Sequence, residues 1–361
     1  MDSKKQPAGK VVAAPQILIL CCVTMPDFSI GVDLGGTNLR IAAVSRDGQL
    51  LERVGLEAKA KRGPDDVIND MCAAVLRLTE KYRSDGQFLG AGMGIPGLVD
   101  IETGTVRISA NLPGWSKYPV RAEIERRLKV PVFIENDAKF AALGEKWMGA
   151  GRNVSTMGIL TLGTGIGGAI VLNEKIFRGT NEMAGEFGHV PIERDGYPCG
   201  CGSHGCAEQY ASASAVIRNA REAIAGGSAP ALAEAVNAGK ELNARLVYDL
   251  ATQGDEVSRN IFRRFGKDLG FLLSGLLNSL NLDMFVIGGG VASAWDAFAP
   301  AMFAELRERS LVYAAATPQE IENAAKLPAE GVKPKMTIVT RALLGSDAGL
   351  YGAARAPLMA G

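Results

Sequence analysis

Gly31-Val32-Asp33-Leu34-Gly35-Gly36-Thr37-Asn38 is the stretch on which the fold turns. An apolar run from Phe28 to Val32 enters it and another, Leu39 to Val44, leaves it, so it is a glycine turn between two strands. Asp47-Gly48 then signals a hairpin before Gln49 to Leu56. A related arrangement returns about 130 residues later. Gly158 to Leu162 is a strand and Gly163-Thr164-Gly165-Ile166-Gly167-Gly168 a turn. Ala169 to Leu172 follows as a strand, turning at Asn173-Glu174-Lys175 into Ile176-Phe177. Two like units suggest an internal duplication, each nucleating one domain, although two unrelated hairpins would read the same way.

The turns decide between kinds of phosphate site. Gly163-x-Gly165-x-x-Gly168 has the spacing of a dinucleotide fingerprint, but that fingerprint opens a helix and Ala169 to Leu172 reads as strand. No Walker A loop occurs. What remains is a pair of hairpin turns, Gly35, Gly36, Thr37 and Asn38 in one and Gly163, Thr164 and Gly165 in the other. Glycine there permits positive φ and lets an anion approach backbone N–H groups without a Cβ clash. A tight hairpin with no ligand uses the same residues. Asp33 favours a ligand: a carboxylate beside a phosphate is repulsive unless a divalent cation such as Mg²⁺ stands between them.

Elsewhere, Val67 to Tyr82 has helical periodicity, Phe88 to Gly94 is a strand entering Ile95-Pro96-Gly97, and Val130 to Ile134 is another strand. Glu135-Asn136-Asp137 leads into a helix from Ala138 to Met148. Residues 209 to 280 are mainly helical, and Asp283 to Ile287 is a strand ending in Gly288-Gly289-Gly290. A last helix runs from Ser346 to Ala356, with Pro357 as its stop. Residues 310 to 335 read as a surface excursion. Alternating strands and helices place the chain in the α/β class.

The 361 residues suggest two domains. Thirty-nine basic and 39 acidic residues leave no cationic excess for gripping nucleic acid. The longest apolar run, Ile17 to Val23, is far short of the roughly 20 residues of a membrane span. Residues 1–25, with Lys4, Lys5 and Lys10 ahead of that run, loosely imitate a signal peptide but lack a cleavage site, and Met25 is an alternative start. Six cysteines are too few for a disulfide scaffold and fit a reducing cytoplasm.

Three of those cysteines, Cys199, Cys201 and Cys206, crowd together ten residues after His189. Three thiolates and one imidazole make a closed tetrahedral set for structural zinc. A disulfide or coincidence is the alternative, and His204 reads as exposed rather than ligating.

With Gly31 to Asn38, Leu162 to Gly168 and Ile287 to Gly290 together, the chain resembles the actin-like sugar kinases. The resemblance implies two ribonuclease-H-like domains with ATP in the interdomain cleft, Gly288, Gly289 and Gly290 serving adenosine. Gly185-Glu186-Phe187-Gly188-His189, the Cys-x-Cys-Gly segment and Gly205-Cys206-Ala207-Glu208 are similar to the zinc-containing ROK family of repressors and sugar kinases. That similarity runs from about Phe28 to Gly352. It implies a smaller domain of residues 26–140 plus 343–361, a larger one of 141–342 carrying the zinc loop, hinges near 137–142 and 343, and a homodimer.

A hexose needs carboxylates and amides around its hydroxyls. By type the candidates are Asn111, Asn136, Asp137, Glu186, His189 and Glu208, and the resemblance maps all six onto sugar contacts. By position alone, Asp137 is a helix cap; by resemblance it is the catalytic base that takes the proton of the sugar 6-hydroxyl as it attacks the γ-phosphorus of ATP. Repressors of the family need a DNA-binding domain of roughly 60 residues ahead of Asp33, and about 27 residues precede Phe28 here. The implied activity is ATP-dependent hexose phosphorylation. Asn111-Leu112-Pro113-Gly114-Trp115 and Cys206-Ala207-Glu208-Gln209-Tyr210 resemble the glucose-phosphorylating branch more than the N-acetylmannosamine or fructose kinases.

Overall fold

The apolar run before each glycine turn pairs back on the run after it, and this seeds two sheets of the same order. A computed structural model describes residues 27–84, 86–109, 112–318 and 327–360. The first lobe contains β1 (Phe28–Leu34), β2 (Asn38–Ser45), β3 (Leu50–Glu57), β4 (Phe88–Ile95), a ribbon of β5 (Leu98–Asp100) and β6 (Thr105–Ile108), and β7 (Val132–Asn136). The second contains β8 (Thr156–Leu162), β9 (Ile166–Leu172), β10 (Lys175–Phe177), β11 (Met284–Gly288) and β12 (Ile338–Arg341). The sheets run β3-β2-β1-β4-β7 and β10-β9-β8-β11-β12. In each, an antiparallel three-strand meander is extended by two parallel strands. The repeat read from the two glycine turns is therefore a repeat of whole sheets.

The helices are α1 (Pro64–Tyr82), α2 (Val120–Leu128), α3 (Asp137–Trp147), α4 (Ala213–Ala225), α5 (Pro230–Asn237), α6 (Ala244–Thr252), α7 (Glu256–Leu280), α8 (Trp295–Arg309), α9 (Leu311–Ala316) and α10 (Ala348–Ala360). α1 starts with Pro64 at its first turn and buries Val67, Ile68, Met71, Val75 and Leu78, the three-to-four spacing of one apolar face. That face closes the first lobe's core, while α4 to α9 enclose the second around Phe262, Phe265, Phe285 and Phe298. No helix among the described residues is long and apolar enough to cross a membrane.

α10 returns from the second sheet to the first and crosses it at backbone distance. A Cβ on Gly31 or Gly92 would come within 2.0 Å of the carbonyls of Leu350 and Ala353. Ser29 Oγ donates to the carbonyl of Ala354 at 2.6 Å in the same crossing. Pro357 lies inside α10 and does not stop it. The helix carbonyl that Pro357 leaves without an N–H is that of Ala353, which faces Gly92. Gly92→Ala should cost about 1–3 kcal/mol, read as a lower urea midpoint with unchanged m-value; an unchanged midpoint would contradict this packing.

Other expectations shift locally. β7 begins two residues later than the strand read at 130–134, which puts Glu135 and Asn136 on the strand and starts α3 at Asp137. The stretch read as an excursion at 310–335 begins with a helix: Ser310 caps α9 and Tyr313 is buried. Residues 1–26, Asn111 and 319–326 lie outside the described residues. Where the chain crosses between lobes, the fully buried carboxylate of Glu145 accepts from the N–H groups of Ala150 (2.8 Å), Leu343 (3.1 Å) and Leu344 (2.7 Å), fastening one crossing to the other.

Candidate active site

The parallel strands of both sheets end at one cleft of about 910 Å³. Asp33, Gly35, Gly36, Thr37 and Asn38 line it from the first lobe, and Gly163, Thr164, Gly288, Gly289 and Gly290 from the second. Asp137 lies between them at the start of α3. The second turn is braced by α4: the Ala213 N–H and Ser214 hydroxyl, at its head, donate to the carbonyls of Gly163 (2.8 Å) and Thr164 (2.7 Å).

Of the two reasons expected for glycine in these turns, positive φ does not apply and open approach does. Neither Gly35, Gly163 nor Gly165 has positive φ. The N–H groups of Gly35 and Gly163 close their own turns on Asn38 and Gly165. Gly163 instead leaves open space toward the cleft, and a Cβ on Gly165 would meet the Glu208 carboxylate at 2.4 Å. Positive φ is needed at Gly289 (84°), where β11 passes so close to β8 that a Cβ would lie 2.4 Å from the Leu162 carbonyl.

Two carboxylates share the cleft. Asp33 is ion-paired with Arg40, whose other nitrogen donates to the Ser346 carbonyl at 2.6 Å. Burial raises the Asp33 carboxyl above its ordinary range even against the Arg40 charge. Burial, and after it the Asp33 charge, push Asp137 up to about 6. The capping role read for Asp137 belongs to Asn136, whose Oδ1 accepts from the N–H groups of Ala138 (3.0 Å) and Lys139 (3.2 Å). Asn136 Nδ2 donates to the Gly97 carbonyl at 3.0 Å. Asp137 is thereby released from capping and faces the cleft, its Oδ1 accepting one N–H, from Ala138, at 2.9 Å.

Glu186 caps and His189 ends a 3₁₀ turn, Phe187–His189, that packs directly on β9. Phe187 is buried in the second core, and a Cβ on Gly188 would strike the Ile166 carbonyl at 2.2 Å. With the middle of the turn sunk into the sheet, Glu186 stays exposed at its edge. The Glu186 charge also acts on Asp137, so the sugar-loop and α3 candidates face one region.

His189, Cys199, Cys201 and Cys206 form one cluster, with a ligand atom from each within 4.8 Å of all the others. Cys199 Sγ lies 3.7 Å from His189 Nδ1, and Cys201 Sγ 3.7 Å from Cys206 Sγ. A tetrahedral ion with bonds of about 2.3 Å holds its sulfurs roughly 3.8 Å apart, so the donor set fits zinc. Burial pushes the Cys199 thiol up to about 12, so its deprotonation at neutral pH needs a cation. His204 is exposed and outside the cluster. Glu208 spans the gap, with Oε1 at 3.1 Å from Cys199 Sγ and Oε2 against Gly165.

Several cleft residues escape sequence reasoning. Arg40 and Arg341 look like ordinary strand residues, yet both line the cleft. A second cavity of about 340 Å³ shares Gly163, Thr164, Gly290 and Ser293 with it and is walled by Tyr248, Phe262 and Asn243. Helical periodicity alone explains Tyr248 and Phe262, so nothing in the pattern marks them.

Comparison with known proteins follows the same geometry. A profile of the ROK family matches residues 29–355. The glucokinase of Halalkalibacterium halodurans is 36% identical over 269 residues, 74% of this chain and 81% of that protein. A crystal structure of a ROK family glucokinase from Streptomyces griseus in complex with glucose and AMPPNP matches with TM-score 0.72 and 32% identity, covering 91% of this chain and 98% of that one. A putative xylose repressor of Caldicellulosiruptor is 31% identical over 273 residues, 74% of this chain and 67% of the repressor. The duplicated sheets are those of the two-domain actin-like ATPase and sugar kinase fold. With both glycine turns and the Cys/His loop inside the matched span, the chain belongs to the ROK family.

Proposed function

We propose that the protein transfers the γ-phosphoryl group of ATP to the 6-hydroxyl of glucose. The observation that carries this reading is Asp137: a carboxylate released from capping by Asn136, half-buried in the cleft that the two glycine turns line, and raised to about 6. Such a group is ionised at pH 7–8 yet basic enough to take a hydroxyl proton as the oxygen attacks phosphorus. The identity to glucokinases and the likeness to a glucokinase bound to glucose and AMPPNP support glucose and ATP.

On this reading the Gly35–Asn38 and Gly163–Thr164 turns receive the triphosphate, and the cavity beside Tyr248 and Phe262 takes the nucleoside. Asp33 offers the oxygen donors that suit Mg²⁺, which when bound would neutralise charge developing on the phosphates, and Asp137 stays free to act as base. Glu186, His189 and Glu208 hold sugar hydroxyls, joined by Asn136 through the second hydrogen of Nδ2, and by Asn111. His189 Nδ1 faces the sulfurs, which leaves Nε2 for the sugar, so zinc held by His189, Cys199, Cys201 and Cys206 would orient the ring without touching the reacting atoms. The lobes divide at 26–140 with 343–361 against 141–342, hinging at α3 and near Leu343, where Glu145 joins the two crossings.

The second reading, a sugar-responsive repressor, is favoured by the 31% identity to a xylose repressor. ADP release measured with glucose, fructose, mannose and N-acetylmannosamine separates the readings. Turnover should be greatest with glucose; preference for another sugar would move the assignment within the kinases, and no turnover with any of them would contradict it.

A further inference from the structure

Beside Asp137 lies a buried ionic cluster to which the proposed phosphoryl transfer assigns no part. Glu135, the residue before the cap, is 2% exposed. Its Oε2 accepts from Arg178 Nε at 3.0 Å and stands 2.9 Å from a terminal nitrogen of the same guanidinium. Its Oε1 accepts the Asn136 N–H at 3.0 Å and lies 3.9 Å from Lys139 Nζ. Lys139, 5% exposed, donates in turn to the carbonyl of Glu182.

These contacts cross from one lobe to the other. Glu135 and Lys139 belong to β7 and α3, two residues either side of Asp137. Arg178 and Glu182 belong to the segment that follows β10 in the second sheet. That segment is closed on itself, because the Ala184 N–H donates to the Arg178 carbonyl at 2.9 Å. Two residues beyond the closure stands Glu186. A single buried carboxylate therefore has Asp137 two residues away on one side and, through Arg178, the Glu186 loop on the other.

We propose that Glu135 and Arg178 are positioning residues that set the register between the base on α3 and the sugar-holding loop of the second lobe. The inference rests on the reading of Asp137 as base and Glu186 as sugar ligand. Burial of the carboxylate makes the pairing directional: two cations converge on a Glu135 side chain that is itself withdrawn from solvent. A carboxylate holding both segments fixes the distance from the sugar hydroxyl to its proton acceptor, and displacements of about 1 Å there are costly. A buried ion pair that served stability alone would have no reason to touch substrate parameters once the chain is folded.

Arg178→Met is the variant of choice, because the Arg178 side chain is 38% exposed and its loss leaves Glu135 with Lys139. Hexose affinity measured without nucleotide should weaken about tenfold, and hexose kcat/KM should fall roughly 10–100-fold with KM for ATP little changed. Arg178→Lys should recover part of the loss. Glu135→Gln should reproduce the Arg178→Met phenotype, and the double variant should be no worse than either single one. Wild-type hexose affinity and kcat/KM in folded Arg178→Met would overturn the proposal, as would a drop in melting temperature with unchanged hexose parameters. Asp137→Asn assayed in parallel keeps the two ideas apart. An inactive Asp137→Asn beside a fully active Arg178→Met refutes the positioning role alone, whereas a fully active Asp137→Asn refutes the base on which it rests.

Discussion

Asp137→Asn is expected to lower hexose phosphorylation roughly 10²–10⁴-fold while leaving hexose affinity within a few-fold of wild type. Asn keeps the size of the side chain and an oxygen to accept the Ala138 N–H, so the start of α3 survives. What disappears is a base. The same carboxylate has a second signature. Its folded-state value, raised by burial and by Asp33 to about 6, exceeds that of the unfolded chain, so its stabilising effect is full only below about pH 4 and is lost as pH rises through 6. An asparagine never ionises, so the variant should melt on the order of 2–4 °C higher at pH 8 and at the same temperature near pH 4. For the wild-type enzyme, kcat/KM should decline below about pH 6 as Asp137 takes up a proton. Near-normal turnover in the variant, or a profile flat down to pH 5, would remove Asp137 from the chemistry.

Removing the metal from the Cys/His loop should have the other large effect. Cys206 is fully buried and Cys199 nearly so, and without an ion the Cys199 thiol stays protonated at neutral pH. Three thiols and an imidazole in that space then have only weak mutual contacts to hold the turn. Loss of order there reaches His189 and Glu208 together, because both touch Cys199. Chelation, or Cys206→Ser, should raise KM for hexose about tenfold or more and lower the melting temperature, with a smaller change in KM for ATP. Purified protein should carry one zinc per chain. Protein free of metal with unchanged hexose KM would show that the cluster holds the loop by itself.

Much of this architecture is legible in the linear pattern because it rests on short-range rules. A glycine turn between two apolar runs is a hairpin whatever surrounds it, and two such units foretell the two sheets. The Cys-x-Cys spacing after His189 brings four donors together for the same local reason. What is not legible depends on contacts distant in sequence. Pro357 reads as a helix stop, yet α10 runs on to Ala360, and its close crossing over Gly31 and Gly92 depends on residues far away in the chain. Gly165 reads as a turn former, but its lack of a Cβ serves Glu208, more than forty residues away. By position the cap of α3 falls to Asp137; the register of β7 gives it to Asn136. Arg40 and Arg341 carry no local mark, since only the meeting of the two sheets puts them on the cleft, and Tyr248 reads as one more helix-face residue until the folding of the second lobe sets it on a cavity wall.

The central claim is that the cleft aligns a nucleotide with a sugar hydroxyl beside Asp137. A crystal structure with glucose and a non-hydrolysable ATP analogue bound together tests it most directly. In that crystal an Asp137 carboxylate oxygen should lie within about 2.6–3.2 Å of the glucose 6-oxygen, with the γ-phosphate facing that oxygen from between the two glycine turns. A glucose whose 6-oxygen points away from Asp137, or a nucleotide seated outside those turns, would contradict it.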